Sequence, residues 1–267
     1  MGEKEQRKEI LKGENITLAF GGVVALMDVS FTVYDGEIFS IIGPNGAGKS
    51  SMYNVISGFY KPQKGKIVFK EENITKLSPH IIAKKGLART FQNLELFKGM
   101  SVLENLMLGR HIHIKNNLFN DIFWFGRARR TEVEHRRIVE DIIDFLEIES
   151  YRKKPVGMLP YGIQKRVELG RALALQGDIV LLDEPMAGMN LEETEDMARF
   201  IIDINQEWKK TVILIEHDMG VVMDLSDRLM VLNFGEKITE GVPEEVQKHP
   251  QVIEAYLGGE EGAFLGR

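Results

Sequence analysis

Cysteine is absent from the 267-residue sequence, which excludes disulfide bonds and thiolate metal sites and fits a reducing compartment. No apolar run approaches the roughly 20 residues that a membrane-spanning helix requires. The first residues, MGEKEQRKEILKGEN, lack the apolar segment of a signal peptide, so we expect no secretory signal. A basic surplus is also lacking: 34 Lys and Arg against 40 Asp and Glu give a net charge of −6, which argues against bulk nucleic-acid binding.

Hydrophobic residues make up 43% of the chain, enough to exclude intrinsic disorder. Short apolar segments of strand length, several apolar throughout, predict buried strands in an α/β fold. These segments are Ile16–Phe20, Val29–Val33, Ile38–Ile42, Ile67–Phe69, Ile179–Leu182, Val212–Ile215 and Leu229–Leu232. Strand signals fade between Met100 and Gln176, which predicts a mostly helical insert near 100–165 in the α/β core.

Helices are predicted in the insert and near the C-terminus. The segment Val133–Leu146 is expected to be a helix with Val133, Ile138, Ile142 and Phe145 near one face. The preceding stretch, Asn116–Arg130, mixes aromatic and basic residues without a period and is interpreted as an irregular insertion. Pro243 followed by two glutamates predicts a helix start, with a stop before Pro250 and a last short helix ending at Gly258 and Gly259.

The sharpest local signal is GPNGAGKS at Gly43–Ser50, which matches the phosphate-loop pattern G-x-x-x-x-G-K-[ST]. An apolar strand precedes it and a helical stretch, Ser51–Ile56, follows it. Glycines allow the backbone N–H groups of such a loop to surround a polyphosphate, and the helix adds its positive N-terminal dipole. Lys49 would neutralise the β- and γ-phosphates and Ser50 would bind Mg²⁺. The pattern predicts a nucleoside-triphosphate site.

Two further strands end in polar residues. Ile179–Leu182 leads into Asp183 and Glu184, which could reach the Mg²⁺ shell and polarise the attacking water, respectively. The alternative interpretation of such an acid pair is that it caps the N-terminus of a helix. Val212–Ile215 is followed by His217, which is predicted to contact the γ-phosphate, although a lone histidine there is often structural.

With these motifs the chain resembles the ATP-binding subunits of ABC transporters, over roughly Ile16 to Gly258. The motifs in order are GPNGAGKS, TFQN, LPYGIQKRVELGRAL, IVLLDEP and IEHDM. The resemblance implies an α/β P-loop NTPase fold, the ABC nucleotide-binding domain, with a RecA-like core, an antiparallel β subdomain and an inserted helical subdomain. It further implies one domain over 13–258, with 13–99 and 167–258 as catalytic core, 100–166 as helical signature subdomain and 259–267 as a frayed tail.

The family also implies a set of site residues. Phe20 would stack on adenine, with a core phenylalanine as the alternative, and Gln92 would contact Mg²⁺ and the water. The residues expected at the ATP phosphates are Gly43, Pro44, Asn45, Gly46, Ala47, Gly48, Lys49, Ser50 and Ser51; Mg²⁺ would be held by Ser50, Gln92 and Asp183; catalysis would involve Glu184, His217 and Lys49. The signature segment, which contacts ATP across a dimer, would be Leu159, Pro160, Tyr161, Gly162, Ile163 and Gln164, and the dimer loop Ala187, Gly188, Met189 and Asn190.

Finer features resemble the branched-chain amino-acid uptake branch: FGG near Phe20, LPYGIQ in place of LSGGQ, AGMN after the acid pair, and the ending HPQVIEAYLG. Importers of urea, amides or other hydrophobic amino acids are the nearest alternatives. Two departures from the family pattern stand out. Pro160 replaces the signature serine and removes a hydroxyl and an N–H, and Asn190 replaces the usual aspartate. They put fast hydrolysis at the signature face in doubt.

The resemblance implies partners and a location. We expect integral-membrane permease subunits, a second ATP-binding subunit of the same or another kind, an extracytoplasmic solute-binding protein as an indirect partner, and no nucleic acid. The expected location is the cytoplasmic face of the cell membrane. One rival is a soluble ABC-type ATPase of translation or DNA repair, but one phosphate loop, no heptad run and no cysteine disfavour it. Another is a nucleotide-gated subunit with weak hydrolysis, which Pro160 motivates and intact Glu184 and His217 disfavour.

Overall fold

The computed structural model describes residues 7–90, 95–113 and 127–257, and the side chains of 127–131 and of Leu257 are left aside. The strands are β1 (Glu9–Phe20), β2 (Val23–Tyr34), β3 (Ile38–Ile42), β4 (Lys64–Phe69), β5 (Glu72–Asn73), β6 (Leu87–Arg89), β7 (Ile179–Asp183), β8 (Thr211–Ile215), β9 (Arg228–Asn233) and β10 (Glu236–Gly241). The helices are α1 (Lys49–Ile56), α2 (Pro79–Lys84), α3 (Val102–Arg110), α4 (Arg127–Phe145), α5 (Tyr161–Leu173), α6 (Leu191–Gln206), α7 (Met219–Leu225), α8 (Pro243–Val246) and α9 (Pro250–Leu257).

The chain forms two compact units. The first consists of Met1–Ile82, Leu181–Glu184 and Ile201–Arg267, and the second of Ala83–Val180 and Pro185–Phe200. The helical segment predicted over 100–166 lies within the second unit. Among the described residues, every helix is too short or too polar to cross a bilayer.

The first unit contains an antiparallel sheet in the order β2-β1-β4-β5 and a second sheet in the order β10-β9-β3-β8, followed by the end of β7 at Leu181–Asp183. β3 pairs in parallel with both β8 and β9, and all five of its residues are buried, as are those of β8. Helices α7, α8 and α9 contribute Val222, Val246 and Val252 to one hydrophobic cluster with Ile42. This arrangement buries β3 and brings its carboxyl end to the phosphate loop.

All of the predicted strands are present, and the α/β class is confirmed. Strands β5, β6 and β10 were not predicted, because β5 and β6 are very short and β10, with the sequence EKITEG, is an edge strand without an apolar run. The last two helices are found at Pro243–Val246 and Pro250–Leu257, while the end expected at Gly258 and Gly259 lies outside the described residues.

The second unit corrects two expectations about α4. The end of the segment interpreted as irregular, Arg127–Arg130, belongs to this helix, since arginine and alanine are good helix formers even without an apolar period. Val133 is 61% exposed and does not share the buried face of Ile142. Nine residues separate the two, which is about two and a half turns of helix at about 3.6 residues per turn, so they lie on opposite sides.

A buried basic cluster joins α3 to α4. Arg110 and His135 are 3% and 7% exposed. Arg110 donates from Nε and Nη2 to Nδ1 of His135 at 3.1 and 3.0 Å, and from Nη1 to the carbonyl oxygen of Ala174 at 2.7 Å. Burial lowers the pKa of His135, and the neighbouring Arg110 and His113 lower it further. His135 therefore acts in the folded protein as a neutral acceptor.

We expect acid to destabilise the fold through His135. Because its pKa is lower in the folded state, its stabilising contribution is complete above the unfolded value of about 6.5 and is lost as the pH falls through the lower folded value. His135→Gln keeps an acceptor for Arg110 but does not titrate. Between about pH 8 and about pH 5, the thermal unfolding midpoint should therefore fall less in this variant than in the wild type. The exposed His80→Gln should follow the wild type; the same decline in all three proteins would contradict this role.

Candidate nucleotide site

The predicted phosphate loop, Gly43–Ser50, connects β3 to α1. Gly43 has φ +148°, and a Cβ atom at this position would lie 2.1 Å from the carbonyl oxygen of Leu232. Gly48, the N-cap of α1, has φ +104°, and its Cβ would lie 2.7 Å from the carbonyl oxygen of Ala25. Only glycine can occupy positions 43 and 48, because any Cβ atom there would collide with the backbone. These two glycines allow the loop to turn tightly before α1 begins. Because the first N–H groups of a helix have no partner within that helix, the start of α1 favours an anion at the loop.

Lys49 places a cation in this loop. It is the first residue of α1 and is only 7% exposed. Its Nζ donates to the carbonyl oxygens of Gly43 at 2.5 Å and of Pro44 at 3.2 Å. The ammonium group is therefore held inside the curl of the loop, where it adds positive charge to that of the backbone N–H groups. Ser50, the next residue, is exposed.

The acid pair stands at the end of β7. Asp183 is the last residue of the strand and is 4% exposed, and Glu184 follows it with φ +47°. This left-handed conformation costs a non-glycine residue roughly 1–2 kcal/mol, and it is fixed by a hydrogen bond from the N–H of Glu184 to the carbonyl oxygen of Ile215 at 2.8 Å. The pair consequently lies beside the end of β8, and it caps no helix, since the next helix, α6, begins at Leu191.

His217 follows β8 at the same edge. Its side chain is 51% exposed, and its Nδ1 lies 3.7 Å from Oε2 of the buried Glu216. The same Oε2 accepts a hydrogen bond from the N–H of His217 at 3.2 Å. Glu216 thus stands where it can orient the imidazole of His217, a role that the sequence did not predict. The sequence signal that could have identified this role is the position of Glu216 immediately before His217. Asp218 instead caps α7 through the N–H groups of Gly220 and Val221.

Phe20 ends β1 and is 48% exposed. Its ring centroid is 5.0 Å from that of Tyr60, in an edge-to-face arrangement with an interplanar angle of 74°. Tyr60 is itself 39% exposed, and it was not predicted as part of the site. An exposed aromatic ring held at its side by a second ring offers a flat surface to a nucleobase, so the alternative of a core phenylalanine does not describe it.

We expect Phe20→Leu to weaken ATP binding about tenfold, because stacking of a base on an aromatic ring is worth about 1–3 kcal/mol. Calorimetric titration with ATP measures the effect. Titration with inorganic tripolyphosphate, which has no base, should give the wild-type affinity, and the half-exposed Phe97→Leu should bind both ligands normally. An equal loss of affinity for ATP and for tripolyphosphate would instead assign Phe20 a structural role.

The signature segment lies in the second unit. Pro160 is the N-cap of α5, a position at which its missing N–H breaks no helical hydrogen bond, and its carbonyl oxygen accepts from the N–H of Gln164 at 3.0 Å. The side chain of Gln164 donates to the carbonyl oxygen of Leu159 at 2.8 Å. The helix begins at Tyr161. Pro160 therefore leaves the free N–H groups of the first helical turn in place.

The predicted dimer loop, Ala187–Asn190, ends at α6. The Oδ1 of Asn190 accepts from the N–H of Glu193 at 3.0 Å, while Oε2 of Glu193 accepts from the N–H of Asn190 at 3.1 Å. This reciprocal pair is a capping box, and asparagine serves in it as well as aspartate. The asparagine therefore keeps the helix start that an aspartate would provide.

The oxygen donors proposed for Mg²⁺ are chemically suitable, since this ion prefers oxygen and is commonly held by one or two carboxylates together with substrate phosphates. Ser50 offers a hydroxyl and Asp183 a carboxylate, both in the first unit. Gln92 lies outside the described residues. Among the described residues, no group of three or more His, Asp or Glu forms a metal cluster of its own.

Comparisons with known proteins find similar sequences over most of this chain. A family described as ABC transporter matches residues 26–187, and one described as branched-chain amino acid ATP-binding cassette transporter matches residues 236–262. The high-affinity branched-chain amino acid transport ATP-binding protein BraF of Pseudomonas aeruginosa is 39% identical over 251 residues, 94% of this chain and 98% of the relative.

Solved structures of ATP-binding cassettes are similar in fold to most of this chain. An ATP-binding cassette of an ABC transporter in its ADP conformation has a TM-score of 0.81 and 34% identity, covering 94% of this chain and 99% of that one. A dimeric cassette in a post-hydrolysis state, bound to ADP and Pi, has a TM-score of 0.74 and 26% identity, covering 88% and 99%.

Proposed function

This chain belongs to the ABC transporter family as an ATP-binding subunit, an ATPase coupled to transport, and from this premise we propose that it energises the import of branched-chain amino acids. The observation that supports the site assignment is that three features follow the carboxyl ends of strands β3, β7 and β8, which are neighbours in one sheet. The ammonium group of Lys49 lies inside the phosphate loop after β3. The backbone of Glu184, after β7, is hydrogen-bonded to the end of β8, and His217 follows β8.

In the proposed reaction, Phe20 stacks on adenine and the phosphate loop binds the triphosphate through its backbone N–H groups. Glu184 accepts a hydrogen bond from the attacking water and orients it in line with the γ-phosphate. Lys49 and His217 stabilise the charge that spreads over the γ-phosphate oxygens in the transition state, and Glu216 holds the imidazole in place. Mg²⁺, held by Ser50, Asp183 and Gln92, would supply further positive charge at the phosphates.

The proposed working unit is a dimer of cassettes in which the signature segment of one subunit faces the phosphate loop of the other. A dimeric cassette bound to ADP and Pi among the similar structures supports this arrangement. We propose that the dimer works on permease subunits at the cytoplasmic face of the membrane, with an extracytoplasmic solute-binding protein as the indirect source of solute. The match of a branched-chain amino acid transporter family at 236–262 supports this choice of solute over urea or amides.

Uptake by cells tests the solute. Deleting the gene in the cell that encodes this chain should abolish high-affinity uptake of radiolabelled leucine, isoleucine and valine, and urea uptake should be unchanged. The wild-type gene should restore leucine uptake, and the Glu184→Gln variant, expressed at the same level, should not. If the deletion removes urea uptake and spares leucine, the solute assignment is wrong although the ATPase assignment stands.

A further inference from the structure

Tyr161, the first residue of α5, links two segments of the second unit. It is 44% exposed, and its hydroxyl donates to the carbonyl oxygen of Ala187 at 3.2 Å across 26 residues of sequence. Ala187 is the first residue of the dimer loop and stands three residues after Glu184. A single hydroxyl therefore connects the signature helix to the chain that leads away from the acid pair.

The ring of Tyr161 also fits the loop sterically. Gly188 has φ +77°, and a Cβ atom there would lie 3.3 Å from Cε1 of the tyrosine ring, closer than most side chains tolerate. Nζ of the buried Lys165, also on α5, lies 6.0 Å from the ring centroid, within cation–π range. The ring is thus held between α5 and a loop that has no side chain at the contact.

A second contact fastens the far end of the same loop. A Cβ atom on Gly162 would lie 2.2 Å from Oε1 of Glu193, so the glutamate carboxylate packs directly on the glycine backbone. Glu193 is the residue that closes the capping box with Asn190. Tyr161 therefore contacts the first residue of the dimer loop through its hydroxyl, and Gly162 packs on the glutamate that caps the last residue of that loop.

We propose that Tyr161 is a positioning residue for ATP hydrolysis: it joins the signature segment and the dimer loop of the same subunit into one element, so that both adopt the hydrolysis-competent position together when the dimer closes. The proposal rests on the proposed function, because it assigns Tyr161 an effect on turnover. A side chain at position 188 would crowd the tyrosine ring, since a Cβ atom there would lie 3.3 Å from Cε1. Tyr161 acts through the dimer loop and touches no reacting atom itself.

Tyr161→Phe tests the proposal because it removes the hydroxyl and keeps the ring. Since a neutral hydrogen bond is worth about 1 kcal/mol, we expect kcat to fall about fivefold while KM for ATP stays at its wild-type value. Tyr161→Gly, which also removes the ring, should lower kcat further. Tyr151→Phe, a hydroxyl deletion elsewhere in the same unit, should match the wild type. Unchanged kcat in Tyr161→Phe, or a KM that rises by the same factor by which kcat falls, would overturn the positioning role.

Amide hydrogen exchange provides a measurement that does not depend on ATP hydrolysis. The N–H of Met189 donates to the carbonyl oxygen of Met186 at 3.1 Å, and the N–H of Asn190 donates to Glu193. Exchange at both amides should be about fivefold faster in Tyr161→Phe than in the wild type. Equal exchange would overturn the link between the segments. A wild type without ATPase activity would contradict the proposed function, whereas the exchange rates would still decide the link.

Discussion

Replacing Glu184 by Gln should lower ATP turnover about a hundredfold or more while leaving ATP affinity unchanged, because the amide keeps the size of the side chain but cannot act as a general base. The left-handed backbone at Glu184 and its hydrogen bond to Ile215 involve main-chain atoms only, so they survive the substitution. Steady-state phosphate release and equilibrium binding of ATP measure the two quantities separately.

The matched control is Glu207→Gln, the same chemical change at an exposed position just after α6. This variant should hydrolyse ATP at the wild-type rate. Normal turnover by Glu184→Gln would show that another group activates the water.

The Glu184→Gln variant also tests the signature segment directly. If its solution mass doubles in Mg²⁺-ATP, a signature containing Pro160 closes on the γ-phosphate of a second copy. A persistent monomer with bound ATP indicates a missing partner subunit.

Lys49→Met should weaken ATP binding about tenfold to a hundredfold and reduce turnover at saturating ATP, because the variant lacks a charge-assisted hydrogen bond to the phosphates worth about 1.5–3 kcal/mol. Methionine retains an unbranched side chain of similar length, so the loop between Gly43 and Gly48 should keep its shape. Calorimetric titration with ATP and with tripolyphosphate should show the same loss for both ligands, in contrast to Phe20→Leu.

The control for Lys49 is Lys64→Met, which removes the same charge from an exposed position at the start of β4. It should bind ATP like the wild type. Because both variants lose one positive charge, the comparison separates the effect of a charge at the phosphates from the effect of the net charge of the protein. A loss of ATP affinity in Lys64→Met equal to that in Lys49→Met would show that overall charge, rather than contact with the phosphates, governs binding. An unfolding midpoint well below the wild-type value in Lys49→Met would assign the lysine a role in holding the loop together.

Much of the fold followed from local pattern. The apolar runs identified the buried strands β3, β7 and β8 because a strand covered on both faces needs apolar residues throughout. The same reasoning failed for β10, whose exposed edge position allows charged residues, and for the first turns of α4, where helix-forming residues carry no apolar period. Patterns that arise from burial therefore predict only the elements that are buried.

What the sequence by itself determined is the chemistry that neighbouring residues carry: the glycines and Lys49 of the phosphate loop, and the acids that follow a buried strand. These depend on a few consecutive residues, because backbone conformation and the polarity of a strand end are local properties. Only the tertiary structure decided that Glu184 is fixed to Ile215, that Tyr60 supports Phe20, and that the hydroxyl of Tyr161 reaches Ala187. Each of these contacts joins residues 26 or more positions apart, and such distances close only when the packing of whole strands and helices brings the two segments together.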